Sequence, residues 1–105
     1  MKEITEEVIQ EVKEKIISHF QPEKIILFGS YAHGTPRKGS DLDLLIVQES
    51  DNPGDKQSIL IRRLFRGYEI AMDILVYTPK ELKKYKDIKG SFAHKVLRKG
   101  RILYG

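Results

Sequence analysis

The sequence contains no cysteine. This absence excludes disulfide frameworks, cysteine-ligated zinc, iron–sulfur clusters and thiol nucleophiles. The longest unbroken apolar runs, at residues 25–28 and 44–47, are far too short to span a bilayer, so no membrane segment is expected. The amino-terminal residues also lack the basic-then-apolar order of a signal peptide. We therefore expect a cytoplasmic protein.

The chain has 105 residues, of which 40% are apolar and 32% charged, which is the balance of an ordinary globular protein. This length predicts a single domain over residues 1–105. A core of this size leaves little spare stability, so a partner subunit or a bound ligand is expected to help complete the structure.

Charge is unevenly distributed along the chain. Residues 79–105 contain nine lysines or arginines and only two acidic residues. Such a basic segment favours an acidic or polyanionic partner, and the alternative is a lysine-rich helix face exposed to water. Since no helix-turn-helix or RNP-like sequence accompanies the basic segment, nucleic-acid binding is not the expected function.

Helical and strand patterns alternate along the chain. Residues 5–20 carry apolar side chains at every fourth position and predict an amphipathic helix capped by Thr5. Only about a dozen residues join the first two strands, too few for a crossover helix between parallel strands. The expected fold class is therefore α/β (α+β), a small mixed β-sheet backed by helices. The remaining patterns predict strands at 24–28, 41–48 and 69–77, helices at 57–66, 79–86 and 91–99, and one helical turn at 30–34.

Three carboxylates interrupt the second and third predicted strands. Because side chains alternate along a strand, Asp41 and Asp43 point to the same face. Asp73 is the only charged residue within an otherwise apolar run, 70–76. If the two strands are neighbours, the three carboxylates converge and can bind divalent cations. The alternatives are a turn or cap for Asp-x-Asp and a salt bridge for the strand aspartate.

Gly29 and Ser30 follow the first predicted strand. A strand that runs into glycine and then a helical turn directs backbone N–H groups at an anion above the strand end. Position 35 is threonine, so the lysine that a P-loop requires is missing. We therefore expect phosphates to be bound by backbone, Ser30 and metal.

The segment Gly29-Ser30, ten residues, then Asp41-Leu42-Asp43 and an apolar run resembles the signature of the DNA polymerase β-like nucleotidyltransferase superfamily. The short, helix-first chain is similar to the minimal nucleotidyltransferase branch, whose members are often encoded with a HEPN-domain ribonuclease toxin. The resemblance covers nearly the whole chain and implies the nucleotidyltransferase fold. It also implies an antitoxin that adenylylates a tyrosine of its HEPN toxin.

The resemblance implies a role for each matching residue. Gly29 and Ser30 would contact the nucleoside triphosphate, and Ser40 is assigned to the same nucleotide-binding set. Asp41 and Asp43 would bind Mg²⁺, and Asp73 would bind one of two ions and help deprotonate the acceptor hydroxyl. The donor would be ATP, with pyrophosphate leaving after in-line attack on the α-phosphorus.

Two features of the sequence leave alternatives open. Arg37 and Lys38 precede the Asp-x-Asp segment and either meet the departing phosphates or are solvated loop cations. A small core leaves little surface to enclose both nucleotide and acceptor, so a second copy or the acceptor protein would complete the site, with residues 80–101 as the contact surface.

The competing functions are transfer to a small molecule and a non-catalytic module that neutralises a toxin by occlusion.

Overall fold

The computed structural model describes residues 3–34, 36 and 39–105. These residues form four helices and four strands in the order α1 (Glu6–Phe20), β1 (Lys24–Phe28), β2 (Leu42–Val47), α2 (Gly54–Arg63), β3 (Met72–Tyr77), α3 (Pro79–Tyr85), α4 (Phe92–Lys99) and β4 (Arg101–Tyr104). None of the helices in these ranges has the length and apolar character that crossing a membrane requires.

The strands form one mixed sheet in the order β3-β2-β1-β4. β1 is antiparallel to both β2 and β4, whereas β2 and β3 are parallel and are connected through α2. The predicted mixed sheet is therefore confirmed. The pairings place the last residue of β1 beside the first residues of the other strands. We call this edge, defined by Phe28, Leu42, Met72 and Arg101, the Phe28 end of the sheet.

Both faces of the sheet are covered. The larger core lies between one face and helices α1 and α2, and includes Ile16, Leu44, Ile61 and Ile74. The smaller core lies on the other face, where Ile26 and Leu45 pack with Val96 of α4 and Leu82 of α3 adjoins them. Strand alternation thus assigns even-numbered residues of β2 and β3 to the larger core and odd-numbered residues to the smaller one.

Several predicted boundaries differ from the structure. The expected three-strand sheet is wrong, because the structure contains a fourth strand, β4. Its four residues follow a glycine and give too short a pattern to predict a strand. They pair with β1 where α4 returns the chain beside that strand. Helix α2 begins at Gly54 rather than residue 57, because its first turn is polar and carries no apolar periodicity. The strand predicted from residue 69 begins at Met72. The segment 30–34 is a turn.

Candidate active site

Asp43 and Asp73 lie side by side at the Phe28 end of the sheet. They are register partners in the parallel β2–β3 pair, so their backbones are about 4.8 Å apart and both side chains point to the same face. That face is the one that α3 and α4 cover further along the strands. Asp41 is exposed and directly precedes β2, where the Leu42 N–H donates to the Ala71 carbonyl at 2.9 Å. The adjacency of the second and third strands is therefore confirmed.

The electrostatics of the three aspartates link them into one site. Partial burial, together with the nearby negative charges of Asp73 and Asp41, raises the pKa of Asp43 to about 6. No lysine or arginine in the described ranges forms an ion pair with any of the three carboxylates. The site therefore carries a local excess of negative charge that a cation would neutralise.

Gly29 lies directly against the carboxylate of Asp43. Its φ of +76° is in the left-handed region that favours glycine. A Cβ at this position would overlap Asp43 Oδ2 and lie 3.1 Å from Asp43 Cγ. Only glycine therefore fits here without moving the carboxylate, and the backbone of the Gly-Ser turn lies within reach of a ligand of Asp43.

The Gly-Ser turn is connected to the segment that precedes Asp41. The Ala32 N–H donates to the Gly29 carbonyl at 3.1 Å, which closes the turn around half-buried Ser30. The Tyr31 hydroxyl donates to the Ser40 carbonyl at 3.5 Å. Ser30 and Ser40, both predicted nucleotide contacts, thus belong to two segments that meet beside the carboxylates. Arg37 and Lys38 of the intervening loop, for which phosphate contact and a solvated position are both open, lie outside the described residues.

A cavity of about 270 Å³ opens next to Gly29. It lies between β1 and α4 and has Lys95 and Lys99 on its wall; its full lining is Phe28, Gly29, His33, Phe92, Lys95, Val96, Lys99 and Gly100. Sequence reasoning did not assign the α4 residues to the site. The basic charge of residues 79–105 was the one feature of the sequence that pointed to this region, but it did not indicate which lysines face the Gly-Ser turn.

Gly100 explains why α4 lies so close to the site. A Cβ at Gly100 would approach the Val96 carbonyl oxygen at 2.5 Å and the Leu27 carbonyl oxygen at 3.0 Å. The edge-to-face contact of Phe28 and Phe92, with ring centroids 5.2 Å apart, fixes the other end of the helix against β1. The close approach at Gly100 and the aromatic contact therefore hold Lys95 and Lys99 beside Gly29.

The donor chemistry of this site suits a hard divalent cation. Carboxylate oxygens are ligands that Mg²⁺ prefers, and it commonly uses one or two of them together with waters and phosphate oxygens. In the described part of the chain, no group of three or more His, Asp or Glu side chains is placed so that it could hold a metal ion by itself. A cation bound by these carboxylates would need further ligands from outside the described residues.

Comparison with known proteins identifies the family. Residues 10–105 match the family model described as Polymerase beta, Nucleotidyltransferase. The chain belongs to this nucleotidyltransferase family. The resemblance inferred from the Gly-Ser and Asp-x-Asp residues is therefore confirmed, and the chain is an enzyme of the nucleotidyltransferase class.

Two curated relatives come from Methanocaldococcus jannaschii. This nucleotidyltransferase is 40% identical over 81 residues to "Putative protein adenylyltransferase MJ0604", covering 77% of each chain. It is 38% identical over 93 residues to "Putative protein adenylyltransferase MJ0141", covering 86% of this chain and 89% of that protein. The chain thus has the protein adenylyltransferases among its relatives.

Solved structures share the fold. A "putative nucleotidyltransferase from Sulfolobus solfataricus" superimposes with a TM-score of 0.57 at 27% identity, over 77% of this chain and 73% of that one. A chain of a toxin–antitoxin structure with AMP-PNP superimposes with a TM-score of 0.63 at 22% identity, over 91% of this chain and 73% of that one. The predicted nucleotidyltransferase fold is therefore confirmed.

Proposed function

We propose that this nucleotidyltransferase transfers AMP from ATP to a hydroxyl group of a partner protein, a tyrosine of a HEPN-domain toxin, and so acts as an antitoxin. The observation that carries the proposal is the pairing of Asp43 with Asp73 beside Gly29 at one end of the sheet. The fold shared with a chain of a toxin–antitoxin structure containing AMP-PNP supports both the nucleotide and the partner class.

Asp41, Asp43 and Asp73 are the proposed ligands of Mg²⁺, with two ions expected. Burial of Asp43 and its repulsion by the other two carboxylates raise its pKa to about 6, and a bound cation would relieve both effects. The metal supplies charge neutralisation at the transferring phosphoryl group and at the leaving pyrophosphate. Among the described residues the three carboxylates are not grouped closely enough to hold an ion by themselves, so the nucleotide phosphates are expected to complete the binding site.

The Gly-Ser turn and α4 are proposed to hold the nucleotide. Gly29 lets the phosphates approach the backbone beside Asp43, and Ser30 adds a hydroxyl donor. Ser40, in the segment before Asp41, would add a further contact to the nucleotide, and the hydrogen bond from the Tyr31 hydroxyl to its carbonyl connects it to the Gly-Ser turn. Lys95 and Lys99, which face the neighbouring cavity, carry the positive charge that a P-loop lysine would otherwise supply.

The proposed step is an in-line displacement at the α-phosphorus of ATP. The acceptor hydroxyl oxygen forms a new phosphoester bond, the bond to the β-phosphate oxygen breaks, and pyrophosphate leaves with the bonding electron pair. Asp73, whose carboxylate is exposed at the edge of the site, accepts the hydroxyl proton. The enzyme contributes mainly by orienting the hydroxyl and the α-phosphorus, as expected for nucleotidyl transfer.

The assembly and location follow from the proposed substrates. We propose that residues 1–105 act as one domain, and that the acceptor protein or a second copy of the chain completes the site. Since ATP is the donor, the reaction takes place in the cytoplasm.

Label transfer tests the proposal directly. The chain is incubated with the protein encoded beside it, in Mg²⁺ and ATP labelled at either the α- or the γ-phosphate. We expect α-label, and no γ-label, on the partner. Asp43→Asn and Asp73→Asn should abolish the transfer, whereas Asp87→Asn, which changes an exposed carboxylate that is not among the proposed site residues, should not. Transfer retained in both site variants would refute the mechanism, and neutralisation of a toxin by Asp43→Asn without transfer would favour occlusion.

A further inference from the structure

A second depression lies on the opposite side of β3 from the carboxylates. It is a shallow groove of about 490 Å³ between the end of α2 and the beginning of β3. The residues that line it are Ile59, Arg62, Arg63, Phe65, Arg66, Ile70 and Met72. We call these residues the arginine groove.

The charge of the arginine groove is not balanced by the protein. Arg62, Arg63 and Arg66 are all exposed, and none of them forms an ion pair with a residue in the described ranges. No acidic residue of those ranges lines the groove. The carbonyl end of α2 stabilises positive charge only modestly, so the three guanidinium groups retain their capacity to bind an anionic ligand.

The floor of the arginine groove is apolar. Ile59 is exposed and Ile70 and Met72 are half-buried, which leaves aliphatic surface between the arginines. Phe65 is 6% exposed and lies within the larger core, so its ring is not available for stacking on a base. Aliphatic surface between guanidinium groups fits a peptide that carries both acidic and apolar side chains better than it fits a nucleic acid.

The position of the groove connects it to the active site. Met72 lines the groove and Asp73, the next residue, points to the opposite face of the sheet. Within the part of the chain that the structure describes, β3 has β2 as its only neighbour, so it forms an edge of the sheet. A bound segment that lies in the groove and continues past the start of β3 therefore reaches Asp73 within a few residues.

We propose that the arginine groove binds an acidic segment of the acceptor protein and so delivers the acceptor hydroxyl to Asp73. This inference rests on the proposed function, because it names the surface through which the partner is recognised. Acidic side chains of the segment pair with Arg62, Arg63 and Arg66, and an apolar side chain covers the aliphatic floor. The site thereby selects an acceptor hydroxyl that has acidic residues close to it in sequence.

A binding measurement with a defined probe tests the proposal. The probe is a fluorescently labelled random copolymer of glutamate and tyrosine in a ratio of about four to one, and the readout is anisotropy. The variant R62A/R63A/R66A should bind the copolymer about tenfold more weakly, as expected from the loss of three exposed charge pairs. The variant K83A/K84A/K86A removes three exposed charges from α3 and the turn after it, and should bind as the wild type does.

Charge reversal provides a second variant. R62E/R63E/R66E should no longer bind the glutamate–tyrosine copolymer and should instead bind a lysine–tyrosine copolymer. Equal binding of the acidic copolymer by the wild type and R62A/R63A/R66A, or its loss in K83A/K84A/K86A instead, would overturn the proposal. Binding of a single-stranded RNA oligonucleotide in preference to the acidic copolymer, lost in R62A/R63A/R66A, would also overturn it.

Kinetics separate this proposal from the proposed function. With the copolymer as acceptor of α-labelled AMP, R62A/R63A/R66A should raise KM for the copolymer about tenfold and leave kcat and the KM for ATP unchanged. Asp43→Asn should abolish transfer but bind the copolymer normally. Normal binding without transfer in the wild type would reject the proposed reaction and support the groove, whereas an unchanged KM in the triple arginine variant would reject the groove alone.

Discussion

Replacing Gly29 with alanine would place a methyl group against the carboxylate of Asp43. The φ of +76° at Gly29 costs an alanine about 1–2 kcal/mol. Overlap with Asp43 Oδ2 forces that carboxylate away from its position, at a further ~0.5–1.5 kcal/mol for an off-rotamer side chain. We therefore expect the free energy of unfolding to fall by roughly 1.5–3.5 kcal/mol.

Gly90→Ala is the matched control for backbone strain. Gly90 has a φ of +86°, and no described atom lies within 4 Å of the position that its Cβ would occupy. This variant should therefore show the left-handed penalty without the overlap. The difference between the two alanine variants, about 1 kcal/mol, is the cost of moving the Asp43 carboxylate.

Urea unfolding and label transfer measure the two consequences. Gly29→Ala should lower the rate of AMP transfer about 100-fold, because displacement of a reacting group by about 1 Å has an effect of that size. In the background of Asp43→Ala, which removes the carboxylate, Gly29→Ala should destabilise the protein no more than Gly90→Ala does. Equal destabilisation by both alanines in the wild-type background, with full activity in Gly29→Ala, would refute the close packing of Gly29 on Asp43.

Two further predictions concern charge at the site. The pKa of Asp43 is raised from 3.8 to about 6, so the folded state binds a proton more readily than the unfolded state does. Above pH 6 the ionised carboxylate should therefore lower the free energy of unfolding. This loss of stability should vanish as the pH falls towards 4. Between these pH values, the free energy of unfolding measured in urea should change less with pH in Asp43→Asn than in Asp87→Asn. An identical pH dependence in the two variants would contradict the raised pKa of Asp43. Lys95→Ala and Lys99→Ala should each raise the KM for ATP roughly two- to fivefold, as for an exposed charge pair, with little change in kcat. Arg98→Ala, on the same helix but outside the cavity lining, is the control, and an equal rise of KM in that variant would show that only net charge matters.

The local part of the fold could be predicted from residue patterns. Thr5 caps α1, where its Oγ1 accepts a hydrogen bond from the Val8 N–H at 3.2 Å, and Thr78 caps α3 with Pro79 in its first turn. Met72 and Asp73 lie on opposite faces of β3, as the alternation of side chains along a strand requires. These features depend on neighbours in the chain, so a single sequence contains the information that specifies them.

The parts that were missed depend on contacts between distant segments. β4 has four residues and follows Gly100, where the absence of a side chain lets the chain pass closely against β1. The cavity beside Gly29 requires α4 to pack on Phe28, and sequence spacing does not report that contact. The arginine groove arises where α2 ends beside the start of β3, whereas in the sequence its arginines resemble an ordinary solvated helix end.

The candidate site could be predicted from the sequence only in part. The Gly-Ser and Asp-x-Asp spacing identified which residues to consider, and the apolar surroundings of Asp73 added a third carboxylate. The pairing of Asp43 with Asp73 required β2 and β3 to be parallel neighbours in that register. No local pattern in the sequence encodes this register.

The most direct test of the account is to locate the divalent ion. Mn²⁺ replaces Mg²⁺ at oxygen-ligand sites and broadens nearby amide signals in a ¹⁵N–¹H spectrum. In the presence of a non-hydrolysable ATP analogue, we predict that the signals of Gly29, Ser30, Asp43 and Asp73 broaden first and that Asp43→Asn abolishes this effect. Broadening that spares these four residues, or that persists unchanged in Asp43→Asn, would contradict a metal-dependent nucleotidyl-transfer site at the Phe28 end of the sheet.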